Sequence, residues 1–283
     1  MNLPSSPAAL RDFIDRHRRL FVLTGAGCST DSGIPDYRDG QGRWKRQPPI
    51  DFGTFMGAAE ARGRYWARSM VGWRRFGAAA PNAAHRALAR LEDAGRVALL
   101  VTQNVDGLHQ AAGSRGVVDL HGRLDRVRCM DCAYRAPRSL LQQRLEALNP
   151  GWTACDAADA PDGDADLEGP DFAAFAVPPC PDCGGILKPD VVFFGETVPA
   201  GRIRRALDAL GKADAMLVVG SSLMVHSGFR YARAAAAAGL PVAAVNLGRT
   251  RADDLLSLKI DLPCAQALGF LLLHDAAAES PVF

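Results

Sequence analysis

Two short cysteine pairs, Cys129-x-x-Cys132 and Cys180-x-x-Cys183, constrain this chain more than any other feature of its sequence. Each pair has the bite of one side of a tetrahedral site, and Gly184-Gly185 after the second pair suits a tight knuckle. Four thiolates would fill the shell of one zinc ion and leave no position for water, so that metal would be structural. A redox dithiol in either pair is the alternative. The intervening stretch, residues 133–179, is longer than a minimal zinc ribbon uses. It includes DAADAPDGDADLEGPD (156–171), with seven carboxylates and no basic residue, which reads as a solvated, mobile loop. Cys155, at the edge of that loop, reads as a bystander. Residues 129–183 are therefore expected to form a small zinc-binding module inserted into a larger fold.

That larger fold is legible in five apolar runs: LFVLTG (20–25), VALLVTQN (97–104), GVVDLHG (116–122), AMLVVGSS (215–222) and PVAAVNLG (241–248). Near-continuous apolar runs ending in polar or glycine-containing loops are the pattern of parallel strands covered on both faces. Helical patterns lie between them. Residues 82–94 place Ala84, Leu88 and Leu91 on one face, between Pro81 and Gly95, and residues 228–238 stop at Gly239 with Pro241 beyond. The expected fold class is α/β: a doubly wound parallel, Rossmann-like sheet, built discontinuously from residues 1–128 and 184–283, with a second, smaller zinc-binding domain. Ligands of such sheets sit at the carboxyl ends of the strands, where the polar motifs of this chain fall.

Bulk properties exclude some partners. A net charge of +2 gives no case for nucleic acid or an anionic membrane, and the acidic insert would repel phosphates. The N-terminus lacks the apolar core of a secretory signal, and the longest apolar run falls far short of the roughly 20 residues of a membrane span. An odd count of seven cysteines, with two C-x-x-C pairs, suits a reducing compartment, so a cytoplasmic location is expected.

After the first strand comes GAGCSTDSGIPDYRDGQGRWK (25–45). Gly25 and Gly27 allow close backbone approach to a phosphate, but five residues separate Gly27 from Gly33 where the dinucleotide fingerprint has two. The polar remainder, with Ser29, Thr30, Asp36 and Arg38, reads as a loop that closes over a ligand. This stretch, TQNVDGLH (102–109), the histidine of DLHG (119–122), both cysteine pairs, GGILKPDVVFFGE (184–196), GSSLMVHSG (220–228) and NLGRTRAD (246–253) together resemble the sirtuin family of NAD-dependent protein deacylases. The resemblance runs in order from about residue 10 to about residue 275. The long spacing between cysteine pairs, YWARSMVGW (65–73) and GSSLMVHSG resemble its class II, sirtuin-four-like branch. Tyr37 stands where the family usually has phenylalanine, a change shared by that branch.

The resemblance implies a reaction in which the acyl group of acyl-lysine passes to ADP-ribose and nicotinamide is released, with NAD and Zn(2+) as cofactors and acyl-lysine proteins as substrates. Protein ADP-ribosyl transfer, or a preference for carboxylated acyl groups over acetyl, are alternatives within the family. His121 matches the catalytic base, a role suited to an imidazole whose free pKa of about 6.5 lies near working pH. Gly25, Ala26, Gly27, Ser29, Thr30, Asp36, Tyr37 and Arg38 would meet the cofactor. Asn104 and Asp106 match the nicotinamide pocket and Gln103 lies beside the ribose. Gly220, Ser221 and Ser222 match the phosphate and ribose segment, Asn246, Leu247 and Gly248 the adenosine-ribose turn, and Cys264 the adenine-side contact.

On the substrate side, the peptide would add as a strand between the DVVFFGE and GSSL loops. Val192 would offer its carbonyl to the lysine amide, and Phe194 would line the acyl-lysine channel. Tyr65 and Arg68 resemble a pair that reads acyl carboxylates; the other reading of Arg68 is an arginine-rich exposed helix face. The remaining histidines read more plainly: His85 as a cap or packing residue, His109 as a loop brace, His226 on the substrate groove or the surface, and His17 and His274 without a signal.

Overall fold

The computed structural model describes residues 6–46, 48–155, 163–165, 167 and 172–277. Most of the acidic stretch, 156–162, 166 and 168–171, lies outside the described residues, and with it the expectation of a mobile loop there.

Among the described residues, nine strands form two sheets: β1 Leu20–Thr24, β2 Val97–Thr102, β3 Val117–Asp119, β4 Gly122–Cys129, β5 Arg135–Pro137, β6 Leu187–Val191, β7 Ala215–Val219, β8 Val242–Val245 and β9 Leu258–Ile260. The larger sheet is parallel throughout, in the order β3-β2-β1-β7-β8-β9. Counted within the sheet, this is the doubly wound order of a dinucleotide-binding fold, with its reversal between β1 and β7. Each expected strand is present, shortened where its run passes into the loop.

Alternation of side chains explains why these runs are apolar throughout. Leu20, Val22, Leu100, Leu217, Val219, Ala243 and Val245 pack on one face, against Leu10 and Ile14 of the helix Pro7–Arg16 and Leu88 of Ala83–Asp93. Phe21, Leu23, Leu99, Val101, Met216, Val218 and Ala244 pack on the other, against Ala206 and Leu210 of Ala200–Leu210 and Tyr231 and Ala235 of His226–Ala237. A strand buried on both faces is apolar nearly throughout, and the buried threonines at the ends of β1 and β2 satisfy each other, Thr24 donating to Thr102 at 2.8 Å.

The helix expected at 82–94 spans Ala83–Asp93. Asn82 caps it by accepting from Ala84 and His85, while His85 Nδ1 accepts the Asn82 N–H at 3.3 Å, so His85 is a capping residue. The second expected helix begins two residues early, at His226, and ends at Ala237.

The smaller sheet is antiparallel, β5-β4-β6, and its strands reach past both ends of the 129–183 module. Its core joins Val127, Leu141, Leu145, Phe175 and Leu187 to Phe55, Tyr65, Trp66 and Met70 of the preceding helices. The long helix Ala59–Phe76 buries Trp66 and Met70 fully, while Arg64, Arg74 and Arg75 are exposed and Arg62 and Arg68 partly buried. Cys155 packs against the small cluster of Val71, Ala165 and Leu167. No helix among the described residues is long and apolar enough to cross a membrane.

Candidate active site

The reversal of strand order places two glycine loops side by side. Gly25 donates to the Val219 carbonyl at 3.1 Å and Gly27 to the Gly220 carbonyl at 2.9 Å. Gly220 has φ +63, and a Cβ there would lie 2.1 Å from the Cys28 nitrogen. Only glycine lets the β1 and β7 loops meet this closely.

Beside this contact lies a cleft of about 560 Å³. It is lined by Gly25, Ala26, Gly27, Ser29, Asp36, Tyr37 and Arg38 of the first loop, and by Gln103, Asn104, Asp106 and His121 at the ends of β2 and β3. Gly220, Ser221, Ser222, Asn246 and Leu247 rise from β7 and β8, and Val192, Phe194 and Tyr65 complete the lining. His226 also lines it. Four expected residues are absent from this lining. The Thr30 hydroxyl turns back to the Gly27 carbonyl, Gly248 forms a left-handed turn at φ +76, Cys264 is buried in the core, and Arg68 meets Asp164.

The polar floor is one connected network. Asn104 Nδ2 donates to the Gly25 carbonyl at 3.1 Å and to Ser29 Oγ at 2.9 Å, and Ser29 donates to Asp106 Oδ2 at 2.7 Å. Burial raises the pKa of Asp106, against the hydrogen bonds from Leu108 and Ser29. Gln103 Oε1 accepts from Ser221 Oγ at 2.6 Å.

His121 stands in the two-residue link between β3 and β4. Its Nδ1 lies 3.0 Å from the Gln103 carbonyl and its Nε2 lies 2.7 Å from Ser227 Oγ. A carbonyl only accepts, so Nδ1 carries the proton and Nε2 offers a lone pair. Burial lowers the pKa of the ring to about 4, with the Arg202 charge adding to the effect and the Gln103 hydrogen bond opposing it. The ring is neutral at physiological pH and can accept a proton through Nε2.

His85 and His109 are buried beneath the floor. His109 meets Thr24 Oγ1 at 2.8 Å, which braces the loop after β2, and burial likewise holds both rings neutral.

One wall of the cleft is aromatic. Trp44 packs edge-on against Phe194 at 5.7 Å and Tyr37 at 6.0 Å, and the Arg38 guanidinium lies 3.9 Å over the Trp44 ring. The Phe193–Glu196 turn is held by charge: Glu196 accepts from Arg128 at 2.7 Å, from the fully buried Lys188 at 3.0 Å and from the Phe193 N–H at 3.0 Å. Sequence reasoning did not single out Lys188, Glu196, Trp44 or Ser227. All four sit inside the motif blocks, but nothing in their spacing reveals the contacts they make.

The four cysteines converge outside the cleft. Cys129 and Cys183 Sγ are 3.6 Å apart, and Cys132 and Cys180 Sγ are 3.7 Å apart. All four sulfurs lie within 4.8 Å of one another. Metal–sulfur bonds of about 2.3 Å give a tetrahedron with edges of about 3.8 Å, so the set fits one zinc ion. Among the described residues the group holds no histidine, and both nitrogens of His121 are engaged elsewhere.

The chain matches the Sir2 family model over residues 25–227. It is 70% identical over 261 residues to an NAD-dependent protein deacetylase of Bordetella bronchiseptica, covering 92% of this chain and 95% of that one. It is also similar to a solved structure of Sir2 with a p53 peptide and NAD+, at 30% identity and a TM-score of 0.73, covering 93% of this chain and 96% of that one. A structure of Sir2Tm bound to a propionylated peptide matches with 30% identity and a TM-score of 0.73, covering 94% of this chain and 96% of that one. The order of the sheet, the paired glycine loops and these matches together establish that the chain belongs to the Sir2 family.

Proposed function

We propose that this chain is an NAD-dependent protein lysine deacylase in which His121 is the general base. The observation that carries the reading is the Nε2 lone pair of a neutral imidazole, fixed at the edge of a cleft formed where the parallel sheet reverses. Bound NAD would supply the electrophile, a ribose carbon that loses nicotinamide as the acyl-lysine oxygen attacks.

The protein's own groups divide the remaining work. The Gly25–Gly27 and Gly220–Ser222 backbones suit the pyrophosphate, and Asn246 and Leu247 the adenosine end. The Asn104–Ser29–Asp106 network suits the nicotinamide amide, which both donates and accepts. His121 Nε2 takes a proton from a ribose hydroxyl, and the ring needs no prior deprotonation to do so. Val192 stands beside it, with its N–H on the His121 carbonyl at 2.7 Å. Phe194, Trp44 and Tyr65 offer an apolar passage to lysine methylenes and a neutral acyl group. The relatives' names, a deacetylase and a propionyl-peptide complex, support the same class of substrate.

Cys129, Cys132, Cys180 and Cys183 would hold zinc as a structural ion. The spacing of the cysteine pairs, YWARSMVGW and GSSLMVHSG support assignment to the class II, sirtuin-four-like branch. The arrangement favours neutral acyl groups over carboxylated ones, because Arg68 is engaged by Asp164.

Incubation with NAD and a panel of acyl-lysine peptides tests the function. His121→Ala is expected to lower deacylation by about 10²–10⁴-fold while the protein still binds NAD. Turnover that survives this substitution would remove His121 from the role.

A further inference from the structure

Ser227 sits in the first turn of the helix His226–Ala237, with its hydroxyl 2.7 Å from His121 Nε2. At the opposite edge of the ring, Nδ1 donates to the Gln103 carbonyl at 3.0 Å. A single hydrogen bond would leave the imidazole free to swing; two at opposite edges fix its plane. The place of Ser227 is set by its neighbour. A Cβ on Gly228 would lie 2.5 Å from Gln103 Nε2 and 2.7 Å from its Cδ, so the absent side chain lets the helix close on Gln103. Gln103 in turn accepts from Ser221 in the loop after β7. The end of β2, the β3–β4 link, the β7 loop and the helix start are thus joined through four side chains.

We infer that Ser227 is a positioning residue for the proposed reaction, its hydroxyl holding the His121 ring with Nε2 turned to the cleft and yielding that nitrogen to an incoming ribose hydroxyl. The inference rests on the reading of His121 as the base. A hydroxyl suits the task because it donates to the neutral ring and, after rotating, accepts from the protonated one. The proton passes from the substrate hydroxyl to Nε2, and Ser227 neither gains nor loses one. Alanine would leave a buried ring nitrogen without a partner.

The test compares Ser227→Ala and Ser227→Thr with the unaltered chain by the ¹⁵N resonances of His121 without NAD, by NAD affinity, and by kcat and KM for an acyl-peptide. Ser227→Ala is expected to move the Nε2 resonance toward that of an unbonded ring nitrogen. It should lower kcat roughly tenfold or more with KM and NAD affinity little changed. Ser227→Thr keeps the hydroxyl and should restore both the resonance and kcat; if Ser227→Ala does not fold, Ser227→Cys, a weak donor of similar size, should show the same changes in smaller degree. An unmoved resonance or an unaltered kcat in the alanine or cysteine variant overturns the inference. With His121→Ala run alongside, its loss of turnover beside a silent Ser227→Ala sinks only the positioning role. Retained turnover in His121→Ala sinks the base assignment, and the positioning role with it.

Discussion

The Arg68 guanidinium donates through Nε to an Asp164 carboxylate oxygen at 2.9 Å, with both side chains less than one-fifth exposed. The contact continues through the backbone, where the Ala165 N–H reaches the Arg68 carbonyl at 3.2 Å. Arg68 is thus turned to Asp164 and does not line the cleft, while Tyr65, one turn earlier, does. Competing peptides are expected to show propionyl or acetyl favoured over glutaryl by about tenfold, as one charge-assisted contact is worth. Asp164→Asn should narrow that ratio by removing the charge that Arg68 now meets. A glutaryl preference that disappears in Arg68→Ala would show the opposite assignment to be right.

Cys180→Ser should release zinc and destabilise the smaller domain, because metal binding of this kind contributes directly to folding free energy. A loss of about 3–5 kcal/mol corresponds to a melting point lower by roughly 10 °C for a chain near this size. Metal content and thermal melts check it. Full stability in a zinc-free variant would refute the structural role.

Acid should unfold the protein earlier than its surface charges suggest. His85 and His121 fall from 6.5 to about 4, and His109 also falls, all chiefly through burial. A base with a depressed folded pKa binds fewer protons folded than unfolded, so stability is lost as pH drops from about 6.5 toward 4. One such ring is worth about 3 kcal/mol when fully titrated. Asp106 and Asp119, whose pKa values burial raises, act with the opposite sign and blunt the loss at the acid end. Urea melts at pH 7, 6 and 5 should show the decline, and His85→Gln should flatten it. A flat profile across that range would contradict the buried, neutral state of these rings.

Two glycines with the same backbone sign should respond differently to alanine. Gly33 has φ +83 with nothing near its missing Cβ, and Gly220 has φ +63 with Cys28 backbone at 2.1 Å. Gly33→Ala should cost about 1 kcal/mol from backbone strain alone. Gly220→Ala should cost more than about 3 kcal/mol and weaken NAD binding, since the β1 and β7 loops must separate. Equal melting points for the two variants would argue that their contact is dispensable.

The larger sheet was legible because both of its faces are buried, so that five strands announce themselves as apolar runs. β9 escaped notice because it is three residues long and carries Lys259 at its centre, as an edge strand can. β4 was hidden by charge: Arg123, Asp125, Arg126 and Arg128 interrupt the run, and an irregular register between Arg123 and Val127 breaks the period of two. β6 contains Pro189 and the buried Lys188, whose partner Glu196 lies eight residues on in sequence and follows a turn. Motif blocks located most of the cleft lining. They did not convey the pairing of Arg68 with Asp164 or of His121 with Ser227, because each joins segments that only the folded chain brings together.

The chain crosses from the larger sheet to the smaller one at Leu120–His121 and returns just after Val191, and the two crossings are bonded where the Val192 N–H meets the His121 carbonyl. The imidazole is therefore held from both sheets at once: its Nδ1 bonds the Gln103 carbonyl at the end of β2, and its own carbonyl bonds the segment that leaves β6.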